Sequence, residues 1–311
     1  MKNDKKITLL SPALEAASGI IPHKLTNDVI FHSTLQHSNA ALKGLTCALL
    51  SLDPSVTKVE MMNPVDFTNY DGKELIMDVK VMVNDEHIAN EEMQIIIGQD
   101  STWWINRSLL YLCRCFDNLD SGDDYELIKP VTHISIVTQD LFPDEEPEFY
   151  AHYRLQNVRT HKSYGRNFYL NVLYLNHIDL ASSSDKEVGL DHWARVMKAD
   201  TWDELKEEAR EHKEMREVVE AMLKVSEDKR QKWLAEAHDD YLSRITTFRN
   251  MGYREAKAED AAELKAKDEA IAMKDETIAE QSQTIAEKDN IIAGLREQIA
   301  AFESESASKK N

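Results

Sequence analysis

Four polar side chains interrupt two apolar stretches between residues 73 and 97 of this 311-residue chain. Asp78 and Lys80 lie in KELIMDVKVMV, and Glu92 and Gln94 lie in HIANEEMQIII. Two neighbouring carboxylates can hold a hard divalent cation such as Mg²⁺, which prefers oxygen ligands. Such an ion can activate a water molecule and stabilise the charge on a phosphodiester under attack. In this chemistry Gln94 would orient the water or a phosphate oxygen, and Lys80 would stabilise the developing charge.

The two stretches are predicted to form a β-hairpin, because apolar and polar residues alternate along each of them. Residues 84–86 have the composition of a turn. A three-residue loop there pairs Val83 with His87 and places Asp78 opposite Glu92. Side chains that face each other in a hairpin have Cβ atoms about 4.5–5.5 Å apart, so two ionised carboxylates repel. We therefore expect a positive group between them, either Lys80 or a divalent cation.

A plainer interpretation fits the same spacing. Alternating polar faces are common in antiparallel hairpins that have one side in solvent. In that case Asp78, Lys80, Glu92 and Gln94 are surface residues, and Lys80 bridges the two acids. The residues alone leave both interpretations open.

The surrounding pattern predicts an α/β fold. Two helices are expected over 24–52, capped by Thr26 or Asn27 and by Ser38 or Asn39. A third helix is expected at 102–118. Strands are expected at 58–65, 73–83, 87–97, 130–139 and 167–180.

The chain is predicted to change character after the last of these strands. Residues 1–22 are expected to be a flexible lead-in, residues 23–182 the α/β core, and residues 183–256 a helical region. Helices are expected there at 186–199, 202–224 and 227–250, with Met251 and Gly252 marking an end. Residues 257–303 form a heptad-repeat helix, and residues 304–311 a tail.

The repeat places isoleucine at every seventh position: Ile271, Ile278, Ile285, Ile292 and Ile299. A strict period of seven predicts a left-handed coiled coil if helices pair. The second position of the seam is weak, since it reads Lys274, Gln281, Lys288, Leu295 and Phe302. A solvated single helix or a disordered repeat is the alternative to a homo-oligomer formed through this segment.

Composition restricts the function further. The formal net charge is −19, which disfavours strong non-specific nucleic-acid binding. The 154–166 segment is locally basic, through Arg154, Arg159, Lys162 and Arg166. The three cysteines have neither zinc nor disulfide spacing, which indicates a reducing cytoplasm. The eleven histidines show no HExxH-like pair, so we expect none to bind a metal. No apolar run is long enough for a membrane span.

Several motifs together resemble the PD-(D/E)XK nuclease family transposases, also called recombination-promoting nucleases (Rpn). Asp78-Val-Lys is followed by Glu92-Met-Gln94, with thirteen residues between Asp78 and Glu92. The other matching segments are LTNDVIFHSTL (25–35), INRSLLYLCRCF (105–116), ELIKPVTHISIV (126–137) and NVLYLNHIDL (171–180). The resemblance covers about residues 25–250 and excludes the repeat.

The resemblance implies a restriction-endonuclease-like core and a DNA endonuclease that depends on Mg²⁺ or Mn²⁺. It would act in recombination or on mobile or foreign DNA. Asp78 and Glu92 would be the metal ligands. Gln94 stands where the wider superfamily has a lysine, a charge that Lys80 would supply.

Other residues match the family with a less specific role. Asp28 matches an acidic position on the first helix, where a cap or surface role is equally open. Arg107 and Tyr111 share a helix face and would contact DNA phosphate or support the hairpin. The basic segment at 154–166 is the candidate DNA contact, against a plain solvated loop.

Two other functions remain open from the sequence. One is a degenerate nuclease fold that serves as an interaction protein, assembled through its helical tail. The other is cleavage of RNA, which the sequence does not separate from cleavage of DNA.

Overall fold

The structure is a computed structural model that describes residues 9–64, 78–95, 98 and 101–308, with side chains to residue 300. Expected strand residues 65, 73–77 and 96–97 lie outside the described residues, as do residues 1–8 of the lead-in. The chain divides into two compact units, residues 1–242 and 243–311. The sheet and the helical region up to residue 242 therefore form one unit.

The described residues form nine helices and six strands. The helices are α1 (Pro12–Ala16), α2 (Asp28–His37), α3 (Asn39–Leu50), α4 (Thr102–Phe116), α5 (Ser183–Glu187), α6 (Leu190–Lys198), α7 (Trp202–Glu211), α8 (Lys213–Glu227) and α9 (Lys229–Ser308). The strands are β1 (Val59–Met61), β2 (Val79–Val83), β3 (His87–Gln94), β4 (Val131–Val137), β5 (Tyr150–Arg154) and β6 (Phe168–Tyr174). Short 3₁₀ turns occupy Tyr125–Leu127 and Leu175–Leu180.

The strands form one mixed sheet in the order β1-β2-β3-β4-β6-β5. β1, β2 and β3 are antiparallel, β4 lies parallel to both β3 and β6, and β5 closes the far edge antiparallel to β6. α4 makes the crossover from β3 to β4. An α/β fold of the predicted class is confirmed.

The sheet separates two layers of packing. On one face, β2 presents Val79, Val81 and Val83 to a core that includes residues of α2, α3, α6 and α8. On the other face, Leu112 and Cys115 of α4 pack on Ile88 and Val131, together with residues at the start of β6. The strictly alternating burial along β2 is the pattern expected of a strand between two such layers.

Local sequence accounts for the start of the first two long helices. Asn27 Oδ1 accepts the backbone N–H groups of Val29 and Ile30, and Ser38 Oγ accepts that of Ala41. These are the N-cap contacts predicted from the sequence. A reciprocal capping box between Ser182 and Asp185 begins α5.

Three elements differ from the sequence expectation. Residues 9–22 hold α1 and bury Leu10, Leu14 and Ile21 in the main core, where a flexible lead-in was expected. The expected helix over 202–224 is two helices separated at His212, which is extended (φ −129°, ψ 122°). Gly252 does not end a helix, because one exposed glycine costs about 1 kcal/mol, too little to interrupt α9.

The repeat lies within α9. Ile271, Ile278, Ile285, Ile292 and Ile299 are each roughly half exposed in the single chain. No helix among the described residues has both the length and the apolar character that a membrane crossing requires.

Candidate nuclease site

The β2–β3 hairpin has the register predicted from the sequence. Val83 pairs with His87, and Val79 pairs with Glu91. The turn is made by Asn84 and Asp85, both with positive φ (51° and 62°), as tight hairpin turns require. Asp78 directly precedes β2. Extending this register by one residue pair therefore places Asp78 opposite Glu92.

The Asn63 side chain fixes the backbone on both sides of Val79. Its Nδ2 donates to the carbonyl of Asp78 at 2.8 Å, and its Oδ1 accepts the N–H of Lys80 at 2.9 Å. Beyond the end of β1 at Met61, the Asn63 side chain thereby makes the hydrogen bonds to β2 that a neighbouring strand would otherwise make. The main chain that carries Asp78 and Lys80 is thus held by Asn63 on its β1 side, and Lys80 pairs with Asn90 of β3 on the other side.

Glu92 is the centre of the charged contacts. Its Oε1 accepts hydrogen bonds from Nε and Nη2 of Arg107 on α4, both at 2.9 Å. The Arg107 guanidinium also lies 4.8 Å from the ring centre of Tyr111 and 5.9 Å from that of Trp104. Arg107 is therefore held by two aromatic rings and directed at the carboxylate.

Two carboxyl groups have raised pKa values here. Burial raises the pKa of Glu92 to about 7, Arg107 opposes the shift, and the charges of Asp78 and Asp28 add to it. Burial also raises the pKa of Asp78, against its backbone hydrogen bond, Arg107, a side-chain hydrogen bond with Asn90, and Lys80. The negative charges of Asp78 and Asp28 thus both disfavour ionisation of Glu92.

A buried polar network lies behind Glu92. Asn90 Nδ2 is 3.1 Å from His133 Nδ1, and Ser135 Oγ is 3.3 Å from His133 Nε2. Burial lowers the pKa of His133 to about 3, with a smaller contribution from Arg107, so the ring is neutral. With Asn90 donating to Nδ1, the proton sits on Nε2. The network gives β4 a polar surface directly against Glu92.

Asp28 is held by contacts within the helical layer. Its Oδ2 lies 3.2 Å from Nε2 of His238 on α9. The neighbouring Asn27 donates from Nδ2 to Asp239 Oδ1 at 2.7 Å, and Asp239 Oδ2 is 2.9 Å from His23 Nδ1. These contacts fix the start of α2, and with it Asp28, against residues 235–239.

The remaining predicted residues take different positions. Gln94 is the last residue of β3 and is half-buried. Lys80 is half-buried on β2 and lies close enough to lower the pKa of Asp78. Tyr111 stacks over His133, with ring centres 6.4 Å apart. Asp78, Lys80, Glu92 and Arg107 are thus brought together.

The basic segment lies elsewhere on the sheet. Arg154 ends β5, three strand spacings or about 14 Å across the sheet from β3. It pairs with Tyr169 near the start of β6, whereas Glu92 is level with Val172. Arg154 also donates to Asn171 Oδ1 and stacks on Tyr169. Arg159, Lys162 and Arg166 follow on the exposed connection to β6.

The donor set fits a divalent cation. Glu92 Oε2 has no hydrogen-bond partner among the described residues and lies 3.7 Å from His133 Nε2, although the side chain is only 7% exposed. Asn90 Oδ1 is likewise buried without a partner. Buried polar atoms are normally satisfied, and a hard cation beside Asp78 and Glu92 would satisfy Oε2 and relieve the repulsion between the acids.

Sequence reasoning did not find Asn63, Asn90 or His133. Asn63 and Asn90 look like ordinary loop and strand residues. His133 is the one ionisable residue of the buried strand VTHISIV, and that was the available signal. Glu91 was also overlooked. It points to the opposite face, where Thr46 Oγ1 donates to its Oε1 at 2.7 Å.

Comparison with known proteins now adds to this geometry. The model of the PD-(D/E)XK nuclease family transposases matches residues 26–245. The curated proteins and the solved structures contain no match to the chain. The matched segment includes the hairpin, α4, the sheet and the contacts of Asp28 with α9. The chain belongs to the PD-(D/E)XK nuclease family transposases.

Proposed function

We propose that the protein is a metal-dependent DNA endonuclease that hydrolyses phosphodiester bonds in recombination or in the processing of mobile or foreign DNA. The observation that carries the proposal is the proximity of Asp78 and Glu92 at one end of the hairpin, where Glu92 Oε2 has no hydrogen-bond partner within the described part of the chain. Family membership supports a nuclease. Metal dependence, the DNA substrate and the residue roles are the proposal.

Asp78 and Glu92 would hold Mg²⁺ or Mn²⁺, with Asp28 as a further acidic group. When bound, the ion would supply Lewis acidity toward a phosphate oxygen and lower the pKa of water. Arg107 engages Glu92 Oε1 and so leaves Oε2 free for the cation.

The other side chains act on the substrate. The Lys80 ammonium would stabilise charge on the phosphodiester, and the Gln94 amide would orient the attacking water or a phosphate oxygen. We propose that Arg107 and Tyr111 support the hairpin, since both contact residues of the site. The basic segment would contact the DNA backbone at a distance from the phosphate that is cleaved, through Arg154, Arg159, Lys162 and Arg166.

Plasmid cleavage tests this function. Wild-type protein is assayed with Mg²⁺, with Mn²⁺ and with EDTA, alongside Asp78→Asn and Glu92→Gln. We expect EDTA and either substitution to reduce cleavage by at least about 100-fold, the scale on which single groups that stabilise transition-state charge act. Glu91→Gln is the matched control, because Glu91 is the neighbouring carboxyl on the opposite face.

The outcomes separate the alternatives. Equal cleavage by wild type and Asp78→Asn would identify a contaminant and remove the proposed site. The same series with single- and double-stranded RNA distinguishes an RNA nuclease. Absence of cleavage on both substrates would favour the second candidate, an interaction protein on a degenerate nuclease fold. The exposed isoleucines of α9 favour that candidate, because they offer an assembly surface.

We further propose homo-oligomerisation through α9 and a cytoplasmic location. Cys47, Cys113 and Cys115 are free thiols, as a reducing compartment would maintain them.

A further inference from the structure

A second cluster of metal-ligating side chains lies in the helical layer, apart from the hairpin. His192 on α6, Glu208 on α7 and His212 between α7 and α8 each place one ligand atom within 4.8 Å of those of the other two. His192 Nδ1 is 2.8 Å from Glu208 Oε2. The rings of His192 and His212 have centres 3.7 Å apart. Three consecutive helical elements thus converge on one point.

The local structure explains this convergence. Glu208 and His212 are four residues apart, so they lie on one face of the helix that ends at Glu211. The extended backbone at His212 ends α7 and turns the chain into α8. His192 lies in the first turn of α6, which begins after the left-handed Gly189 (φ 73°). An unbroken helix over 202–224 would not produce this turn.

Arg195 lies beside the cluster. Its Nη1 donates to Asp191 Oδ2 at 2.9 Å and is 3.2 Å from His192 Nδ1, and its Nε lies 3.9 Å from Glu208 Oε1. Glu208 Oε2 is the oxygen that lies 2.8 Å from His192 Nδ1. Outer groups of this kind, which hold a ligand in one orientation, are a regular part of metal sites. The side chains of His192 and Glu208 are 23% and 18% exposed, so both can adjust by rotation.

The cluster opens on a cleft of about 710 Å³ between α3, α6 and the start of α8. His192 and His212 line this cleft, together with Cys47, Asp53 and Glu214. A cation can therefore enter from solvent, and a water molecule can complete its coordination. Sites with three protein ligands and one open position are a standard arrangement for Zn²⁺.

We propose that His192, Glu208 and His212 form a binding site for a transition-metal ion of the Zn²⁺ class, distinct from the hairpin site. Two imidazoles and one carboxylate suit Zn²⁺ better than Mg²⁺, which prefers oxygen ligands alone. The ion would connect α6, α7 and α8, and its open position would face the cleft. The site does not depend on nuclease activity.

Co²⁺ is the probe, since tetrahedral Co²⁺ with nitrogen ligands absorbs visible light far more strongly than octahedral Co²⁺ on oxygen ligands. Tag-free full-length protein is stripped with a chelator and titrated near neutral pH, where histidine is mostly neutral. Zn²⁺ is then added in competition. Asp78→Asn removes the contribution of the hairpin site. His212→Asn tests the cluster, and His161→Asn, at an exposed histidine, is the matched control.

We expect wild type, Asp78→Asn and His161→Asn to bind about one Co²⁺ per chain with intense absorption, which Zn²⁺ displaces. His212→Asn and His192→Asn should each weaken binding by at least about tenfold. Their thermal unfolding in EDTA should match wild type, which shows that the fold is intact. The proposal is overturned if wild type gives no intense absorption, if the histidine variants bind as wild type does, or if Asp78→Asn abolishes the signal.

Discussion

Arg107 directs two nitrogens at a single oxygen of Glu92, with Nε and Nη2 both 2.9 Å from Oε1. The other oxygen, Oε2, has no hydrogen-bond partner among the described residues. A bidentate pairing would have used both oxygens. The arrangement divides the carboxylate into one oxygen that is held and one that is available. Substitution of Arg107 should therefore change the pKa of Glu92.

We predict that Arg107→Ala raises the pH at which the nuclease becomes active. Arg107 lowers the pKa of Glu92, which burial raises to about 7, so its removal raises that pKa further. Glu92 must be ionised to hold a cation, hence the acidic limb of the pH–rate profile should move to higher pH. Plasmid cleavage across a pH series measures the shift. Arg114→Ala is the control, on the same helix and also beside Tyr111. An unmoved acidic limb in Arg107→Ala would contradict the assigned contact.

Protein stability should decrease as the solution becomes more alkaline. Burial raises the pKa of Glu91 from 4.5 to about 8, so the folded state holds a proton that the unfolded state releases. The stabilising effect is complete below the unfolded pKa and is lost as pH rises through the folded one. Between about pH 6.5 and about pH 8.5 the loss from Glu91 is about 2 kcal/mol.

Urea unfolding at the two pH values tests this linkage. Glu91→Gln should remove about 2 kcal/mol of the pH dependence, while Thr46 can still donate to the amide oxygen. Burial lowers the pKa values of His32 and His133 to about 4 and 3, so both rings are neutral in the folded protein throughout this interval. Their unfolded forms titrate near pH 6.5 and contribute equally in wild type and in Glu91→Gln. Glu92 adds a dependence of the same sign, which Glu91→Gln leaves in place. An unchanged dependence in Glu91→Gln would show that Glu91 is ionised in the folded protein.

Gly44 on α3 is needed because a tryptophan occupies the space beside it. A Cβ atom at Gly44 would lie 3.0 Å from Cζ2 of Trp193, which is 2% exposed. We expect Gly44→Ala to destabilise the protein by about 1–3 kcal/mol despite the better helix propensity of alanine. Gly252→Ala is the control, since nothing lies within 4 Å of that Cβ.

Thermal unfolding followed by circular dichroism compares these glycine variants. If the clash is the cause, combining Gly44→Ala with Trp193→Phe should cost less than the sum of the single changes. Strict additivity would assign the effect to something other than this contact.

The heptad isoleucines are predicted to mediate self-association. The double variant Ile278→Lys and Ile285→Lys places two charges on the apolar stripe and should lower the mass measured by light scattering. Met273→Lys is the control, because Met273 is 72% exposed and lies off the stripe. Deletion of residues 257–311 should give the same number of chains per particle as the double variant. If neither the double variant nor the deletion lowers the number of chains per particle, the coiled-coil proposal is removed.

Much of the hairpin was predictable because its signals are local. Alternation fixed the faces, and the short turn fixed the register, so the pairing of Val83 with His87 followed directly. The caps at Asn27 and Ser38 are likewise formed by residues within a few positions of each other. Where structure depends on neighbours in sequence, the pattern was sufficient.

Three features were not predicted from the sequence, because each depends on contacts between residues that are far apart in the chain. β5 is a five-residue edge strand with a mixed pattern, and its pairing with β6 gives it order. Leu14 looked like part of a loose terminus until the core supplied its partners. The histidine–glutamate cluster required a helix break at His212 that no proline or glycine marks.

Glu91 and Glu92 are consecutive carboxyl groups on opposite sides of one strand, one enclosed beside Thr46 and the other facing Arg107. Side chains alternate with a period of two, so displacing β3 by one position would exchange them. The turn at Asn84 and Asp85 therefore selects which acid faces α4. We therefore expect a single-residue insertion there to abolish the proposed nuclease activity, although every acidic residue of the chain would remain.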